Sequence, residues 1–258
     1  MVPEGQGIQY EKREKVGRIQ ICQPRLTPSM VEALTTLSDT IEDDEEVEIV
    51  VVTGKESTFC TGLDCPQGYS GHRAAAEIRK RFGSVNCVAA LAQLTKPTVA
   101  ALNGDAIGVG LEMALACDLR IAVSRARFGL PQIAEGLIPF CGGTQRLPRL
   151  VGQTKALELV LTGELINGAE AERIGLVNRL VEEGDFPRVV EQLLTDLLTK
   201  GPIALRLGKE AVLKSLDLTL EQGIRLEEDL YVLLQTTQDR AEGIQSFLQK
   251  KTPRFVGK

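Results

Sequence analysis

The residues best suited to chemistry lie in one run, Asn103-Gly104-Asp105-Ala106-Ile107-Gly108-Val109-Gly110-Leu111-Glu112-Met113. A short apolar stretch, 98–102, leads into this glycine-rich turn, and an apolar stretch of helical spacing, 111–117, leads out of it. A strand–turn–helix passage of this kind leaves backbone N–H groups without partners at the helix start, which suits an anion or a developing oxyanion. Glu112 falls in the first turn of that helix. Its carboxylate could hold a water, act as a general base or shuttle a proton. It could equally do no more than complement the helix dipole, a contribution of typically ~0.3–1 kcal/mol. A second loop, Ser57-Thr58-Phe59-Cys60-Thr61-Gly62-Leu63-Asp64, follows another apolar stretch. Two loops at the carboxyl ends of strands could aim two amides at one carbonyl oxygen, the minimum for stabilising an enolate or tetrahedral oxyanion.

Several other chemistries are excluded or disfavoured. The spacing of Gly104, Gly108 and Gly110 is not that of a dinucleotide fingerprint, and no P-loop lysine follows. His72 is the only histidine, so a Ser-His-Asp triad would need His72 itself, and a histidine-rich metal site is impossible. The six cysteines (Cys22, Cys60, Cys65, Cys87, Cys117, Cys141) form no CxxC pair and read as free thiols in a reducing compartment. A net charge of −5 argues against nucleic acid as the main partner, and the local basic groups 79–81 and 250–254 read as solvated faces. The first fifteen residues are polar and charged, without the apolar core of a secretory signal. No apolar run reaches the ~20 residues that span a bilayer. The expectation is a cytoplasmic protein with no membrane partner.

The elements that must position these loops alternate. Residues 17–22 alternate apolar and polar as a half-buried strand does. Residues 30–41 carry apolar side chains at helical spacing behind Pro28-Ser29. The β-branched run 47–53 reads as a strand buried on both faces, ended by Gly54. Then come a helix over 74–94, a strand over 98–102, the turn 103–110, a helix over 111–117 and a strand over 119–123. Strands separated by helices imply parallel pairing. From about Gly152 the pattern is helical, over 154–162, 168–174, 185–198, 203–216, 220–234 and 242–250. This predicts an α/β protein in which helices make up the C-terminal part.

Three segments carry a resemblance to a known family: Phe59-Cys60-Thr61-Gly62-Leu63-Asp64; Asn103 through Asp118; and Phe128 through Arg149, which includes Phe128-Gly129-Leu130-Pro131, Gly136-Leu137-Ile138-Pro139 and Gly142-Gly143-Thr144-Gln145-Arg146-Leu147. Leu161-Thr162-Gly163 and Ala171, Gly175-Leu176-Val177 fit the next segment. In order and over nearly the whole chain, these resemble the enoyl-CoA hydratase/isomerase (crotonase) superfamily. The resemblance implies an α/β fold, a spiral of stacked ββα or βαβ turns over residues 1–195, with a C-terminal helical region over 196–258 used in trimerisation. It implies an acyl-CoA thioester substrate, no cofactor beyond the coenzyme A of that substrate, and a homotrimer or dimer of trimers.

Residue by residue, the resemblance makes the N–H groups of Leu63 and Val109 the oxyanion hole. Glu112 matches the first catalytic glutamate of the hydratases. The second falls on Gln132, which can hold water but cannot exchange a proton at neutral pH. Isomerase and dehalogenase relatives place an acid eight positions later, where this chain has Phe140. Glu135 reads as an ordinary surface glutamate. Cys60, Gly62, Asp64, Gly108, Pro131 and Phe140 would surround the bound thioester, Asp64 as a turn-capping residue. Tyr69 and His72 fall in the segment that shapes the acyl pocket in relatives. Cys65-Pro66 replaces a frequent nucleotide-contacting lysine. The loop 23–27 is short and lacks the usual Asn-Ala, and Arg25 could supply its coenzyme A contact. Phe247 and Lys250 match residues that touch the coenzyme A of a neighbouring subunit. The leading expectation is therefore a hydratase/dehydratase with Glu112 as its single acid–base group. An isomerase, a decarboxylase or another enolate-forming enzyme is the alternative, and a non-catalytic acyl-CoA-binding protein is the third.

Overall fold

The computed structural model describes residues 7–64 and 87–258. Cys65-Pro66, Tyr69, His72, the basic group 79–81 and most of the helix expected over 74–94 lie outside the described residues.

The chain forms two compact units, one of residues up to Leu94 with Thr98–Val190, the other of Thr95–Pro97 with Glu191–Lys258. In the first unit, Ile8–Arg13 (β1) and Val16–Ile21 (β2) make an antiparallel hairpin. Thr27 then caps the helix Pro28–Asp43 (α1) by accepting from the Met30 N–H at 3.3 Å. The apolar side chains spaced along α1, Met30, Val31, Leu34, Leu37 and Ile41, are all buried.

Three times thereafter the chain repeats one pattern. A long strand of the main sheet is followed by a tight turn and a three-residue strand of a second sheet. Thus Ile49–Gly54 (β3) leads to Thr58–Cys60 (β4) and later to the helix Cys87–Gln93 (α2). Thr98–Leu102 (β5) leads to Asp105–Ile107 (β6) and the helix Val109–Ala116 (α3). Leu119–Val123 (β7) leads to Arg127–Gly129 (β8) and the 3-10 turn Pro131–Glu135. The helices Gly143–Val151 (α4) and Gln153–Thr162 (α5), the strand Ile166–Asn167 (β9), the helix Gly168–Arg173 (α6) and the strand Arg179–Val181 (β10) complete this unit. The main sheet runs β1-β2-β3-β5-β7-β10, parallel after its first hairpin, and the second runs β4-β6-β8-β9. This is the α/β alternation that the sequence predicts, in the stacked-turn arrangement that the family resemblance implies.

Side chains lock the turns together. The Asn103 amide oxygen accepts from the Gly54 N–H at 2.9 Å, and its Nδ2 donates to the Gly54 and Glu56 carbonyls at 3.1 and 2.9 Å. Arg125 donates to the Ser57 and Asn103 carbonyls at 2.9 and 2.8 Å. Successive turns are thereby held in step, and so are the loops that leave them.

Apart from Glu112, helix α3 is apolar all round, and every residue from Val109 to Leu115 is buried, as expected of a helix running through a core. A Cβ on Gly110 would stand 1.9 Å from the Cys60 carbonyl oxygen, so only glycine lets the start of α3 lie against β4. The far end of α3 is held by Arg120, which is 4% exposed. Its Nη1 donates to the carbonyls of Ala114 and Cys117 at 3.3 and 2.6 Å, and its Nε to that of Leu176 at 2.8 Å. A cation there also complements the negative end of the helix.

The second unit contains most of Phe186–Leu198 (α7) and the helices Pro202–Lys214 (α8), Leu220–Gln235 (α9) and Gln238–Gln249 (α10). The Asp239 carboxylate accepts from the Val256 and Gly257 N–H groups at 2.7 and 3.0 Å, folding the last residues back on α10.

Three features differ from the sequence expectation. Residues 8–13, polar but for Ile8, form edge strand β1, held by backbone pairing with β2 and not by an apolar face. The presumed turn 103–110 contains β6, too short to show a period. A helix forms over Gly143–Val151 despite Pro148.

Replacing Arg120 by Met should remove three hydrogen bonds to backbone carbonyls and lower unfolding stability by about 2–4 kcal/mol, measured by denaturant titration.

Candidate active site

The loops leaving β4 and β6 and the turn after β8 meet at the start of α3. Glu112, one turn into that helix, is fully buried. Its Oε1 accepts from the Cys141 N–H at 2.7 Å and the Gly143 N–H at 2.9 Å. These amides belong to the opening of α4, so the carboxylate sits at a second helix N-terminus, where negative charge is favoured. Its Oε2 accepts from Gln132 Nε2 at 3.3 Å. That contact orients the amide, because Gln132 Oε1 would repel a carboxylate oxygen. Gln132 Oε1 is left buried with no hydrogen-bond partner among the described residues.

Burial pushes the Glu112 carboxyl above its ordinary pKa. The N–H groups of Gly143 and Cys141 and the nearby Arg146 cation pull in the opposite direction but do not cancel the burial. Arg146 itself donates to the Cys141 carbonyl at 3.0 Å, which steadies the loop that grips Glu112.

The second half of the site is a short extended segment. Leu63 bridges Leu26 in parallel fashion. The Leu26 N–H donates to the Gly62 carbonyl at 2.9 Å, and the Asp64 N–H donates to the Leu26 carbonyl at 2.7 Å. Extended chain points successive N–H groups to opposite sides, so the Leu63 N–H faces away from Leu26. Gly62, at φ +135°, takes a conformation that favours glycine and sets this direction. The Val109 N–H is the first of α3 and has no intrahelical acceptor. Neither N–H meets an acceptor among the described residues. Gly108, which precedes Val109, is the common neighbour: the place of a Cβ on it lies 3.7 Å from Gln132 Nε2 and 3.9 Å from Gly62 Cα.

Of the residues singled out by sequence, Cys60, Gly62, Leu63, Gly108, Val109, Glu112, Pro131 and Gln132 thus lie at the end of β4, at the start of α3 and in the loops and turn drawn to them. Cys60 is buried and its thiol is pushed up to about 11, chiefly by burial, so it is no nucleophile. Asp64 and Arg25 are exposed. Pro131 starts the turn that carries Gln132, and Phe140 is half-buried next to Cys141. Glu135 is exposed at the end of that turn. Phe247 and Lys250 belong to the second unit, where Phe247 is 83% exposed and Lys250 ends α10 in a left-handed conformation. Sequence reasoning missed the grip of Cys141 and Gly143 on Glu112. The paired glycines ahead of α4 were the available sign of a helix start open to an anion.

The family model described as enoyl-CoA hydratase/isomerase matches residues 11–258. A crotonyl-CoA hydratase of Syntrophomonas wolfei is 36% identical over 260 residues, covering 98% of this chain and 99% of the relative. The human mitochondrial enoyl-CoA hydratase domain-containing protein 2 is 40% identical over 233 residues, covering 88% and 79%. Among solved structures, an enoyl-CoA hydratase from Bacillus anthracis superposes with a TM-score of 0.92 at 32% identity, covering 98% of this chain and 100% of the other.

A carboxyl whose pKa is raised by folding contributes stability below its unfolded pKa and loses it as pH rises through the folded value. Glu112→Gln keeps the acceptor for the Cys141 and Gly143 amides and removes the buried charge. Its melting temperature should equal or exceed that of the wild type at pH 8, and the gain should vanish as pH falls toward the ordinary glutamate range, as followed by thermal melts from pH 4 to 9.

Proposed function

Since the chain belongs to the enoyl-CoA hydratase/isomerase family, we propose that it is an enoyl-CoA hydratase/dehydratase in which Glu112 is the single acid–base group. The observation that carries the proposal is a buried carboxylate, its pKa raised, close to two backbone N–H groups without acceptors among the described residues. The N–H groups of Leu63 and Val109 bind the thioester oxygen, and most strongly once it carries enolate charge. The Glu112 carboxylate takes a proton from water as the hydroxide oxygen bonds to Cβ. The electrons of the double bond move onto the thioester oxygen as an enolate. Glu112 then returns the proton to Cα, so one water has been added and the carboxylate is restored. Gln132 Oε1, a buried acceptor without a partner among the described residues, accepts a hydrogen bond from the remaining O–H of the water. Its Nε2 keeps Glu112 oriented.

A neutral amide in place of a second carboxylate also suits a proton shift without water addition. Double-bond isomerisation needs only one base that moves a proton between Cα and Cγ over the same enolate. Product mass separates the two, since hydration adds a water and isomerisation adds nothing. Decarboxylation would lose carbon dioxide instead. A protein that only binds acyl-CoA would give no new mass.

The second unit exposes Val212, Leu213, Leu216, Leu220, Tyr231, Val232 and Leu248, each more than half exposed. Apolar side chains so placed support assembly into trimers or dimers of trimers. Phe247 and Lys250 would then meet the coenzyme A of a neighbouring subunit. No helix among the described residues is long and apolar enough to cross a membrane. Cytoplasmic residence is proposed on the free cysteines.

Purified protein should hydrate members of a panel of straight, branched and cyclic enoyl-CoA thioesters, and Glu112→Ala should lower kcat about 10²–10⁴-fold. A panel that gains no water sinks the hydratase proposal. The rate of hydration should rise with pH through one ionisation above the usual carboxylate range and then stay level. Gln132→Glu should add a second ionisation to that profile.

A further inference from the structure

We propose that Arg25 is a positioning residue that holds the Leu63 N–H in place, an inference that rests on the oxyanion role given to that N–H above. The segment 24–26 pairs along 61–64. The Thr61 N–H donates to the Pro24 carbonyl at 2.7 Å, and Leu26 binds the Gly62 carbonyl and the Asp64 N–H. The backbone of Leu26 therefore fixes the peptide on each side of Leu63, but the Leu63 carbonyl points away from it. That carbonyl accepts from Arg25 Nη2 at 2.6 Å, a charge-assisted bond. The Arg25 Cζ also lies 3.9 Å from where a Cβ of Gly62 would stand, so the planar guanidinium covers the open side of the glycine. Gly62 is the joint that could swing the Leu63 N–H out of line, since it samples backbone conformations other residues avoid. Arg25 closes that joint from the solvent side. Its work is geometric: an exposed cation is screened by water, and a misplaced donor loses most of its value to an oxyanion.

The alternative for Arg25 is a contact with the phosphates of coenzyme A, and kinetics separate the two. Crotonyl-CoA and crotonyl-pantetheine, which lacks the nucleotide and its phosphates, are compared as substrates of the wild type and Arg25→Ala. Amide exchange of Leu26 and Asp64 is measured in both proteins without substrate. The expected result is a fall in kcat of about tenfold on both thioesters with KM within about twofold, and exchange of the two amides about tenfold faster. The melting temperature should stay within about 2 °C of the wild type, as for a surface substitution. A rise in KM confined to crotonyl-CoA, with kcat unchanged, would overturn the proposal in favour of phosphate binding. Unchanged exchange would overturn it as well. If the wild type acts on neither thioester, the hydratase proposal fails for this acyl group, and the exchange measurement alone then decides whether Arg25 holds the segment.

Discussion

The interaction on which the rest depends is the burial of the Glu112 carboxylate against the opening of α4. A carboxylate out of water is costly unless it finds donors. Here three are supplied, two backbone amides and one side-chain amide. The two backbone donors do not belong to the element that carries Glu112. They come from 29 and 31 residues further along the chain. The charge therefore ties α3 to α4, and neither helix can shift without leaving a buried carboxylate unpaired. The apolar character of the rest of α3 has the same consequence from the other side, since no solvated polar face allows it to rotate toward water.

The repeated pattern of long strand, tight turn and short strand explains why the loops converge. Each parallel strand of the main sheet delivers its carboxyl end to the same edge, and each three-residue strand then redirects the chain before the next helix or turn. Asn103 and Arg125 bind neighbouring turns through backbone carbonyls and amides, so their hold is independent of the residues being held. The close approach at Gly110 then sets the start of α3 on β4. Two N–H groups from loops 46 residues apart in sequence, Leu63 and Val109, can in this way belong to one site.

The long apolar elements were legible in the sequence because each has a run or a period of apolar residues. The strand 98–102 is an unbroken apolar run but for Thr98, buried throughout, and the helices after Gly152 carry apolar side chains at helical spacing. The short strands β4, β6, β8, β9 and β10 have two or three residues each and no period to detect; only pairing with neighbours defines them. The same limit applies to the site. Glu112 and the glycine-rich turn could be found as residue types in a pattern. The donors from Cys141 and Gly143 are backbone groups, which side-chain identity marks only indirectly, through the Gly142-Gly143 pair at the opening of α4. The role of Leu26 is likewise carried by its backbone, and its buried side chain pointed only to packing.

Gln132 shows how one amide changes the electrostatics of such a site. A second carboxylate at that place would set two like charges against one another, and one of them would be driven to hold a proton. The amide instead donates to Oε2, so both oxygens of Glu112 have partners while it is ionised. Burial still prevails over these bonds and over Arg146, which leaves the carboxyl above its ordinary range. A carboxyl so balanced holds a proton more firmly than an ordinary one, while three donors still steady it as the anion. The Oε1 of the same amide, without a partner among the described residues, is an acceptor that can receive an O–H but cannot take its proton. In the proposed reaction Gln132 would thus separate two tasks, leaving proton exchange to Glu112 and keeping orientation for itself.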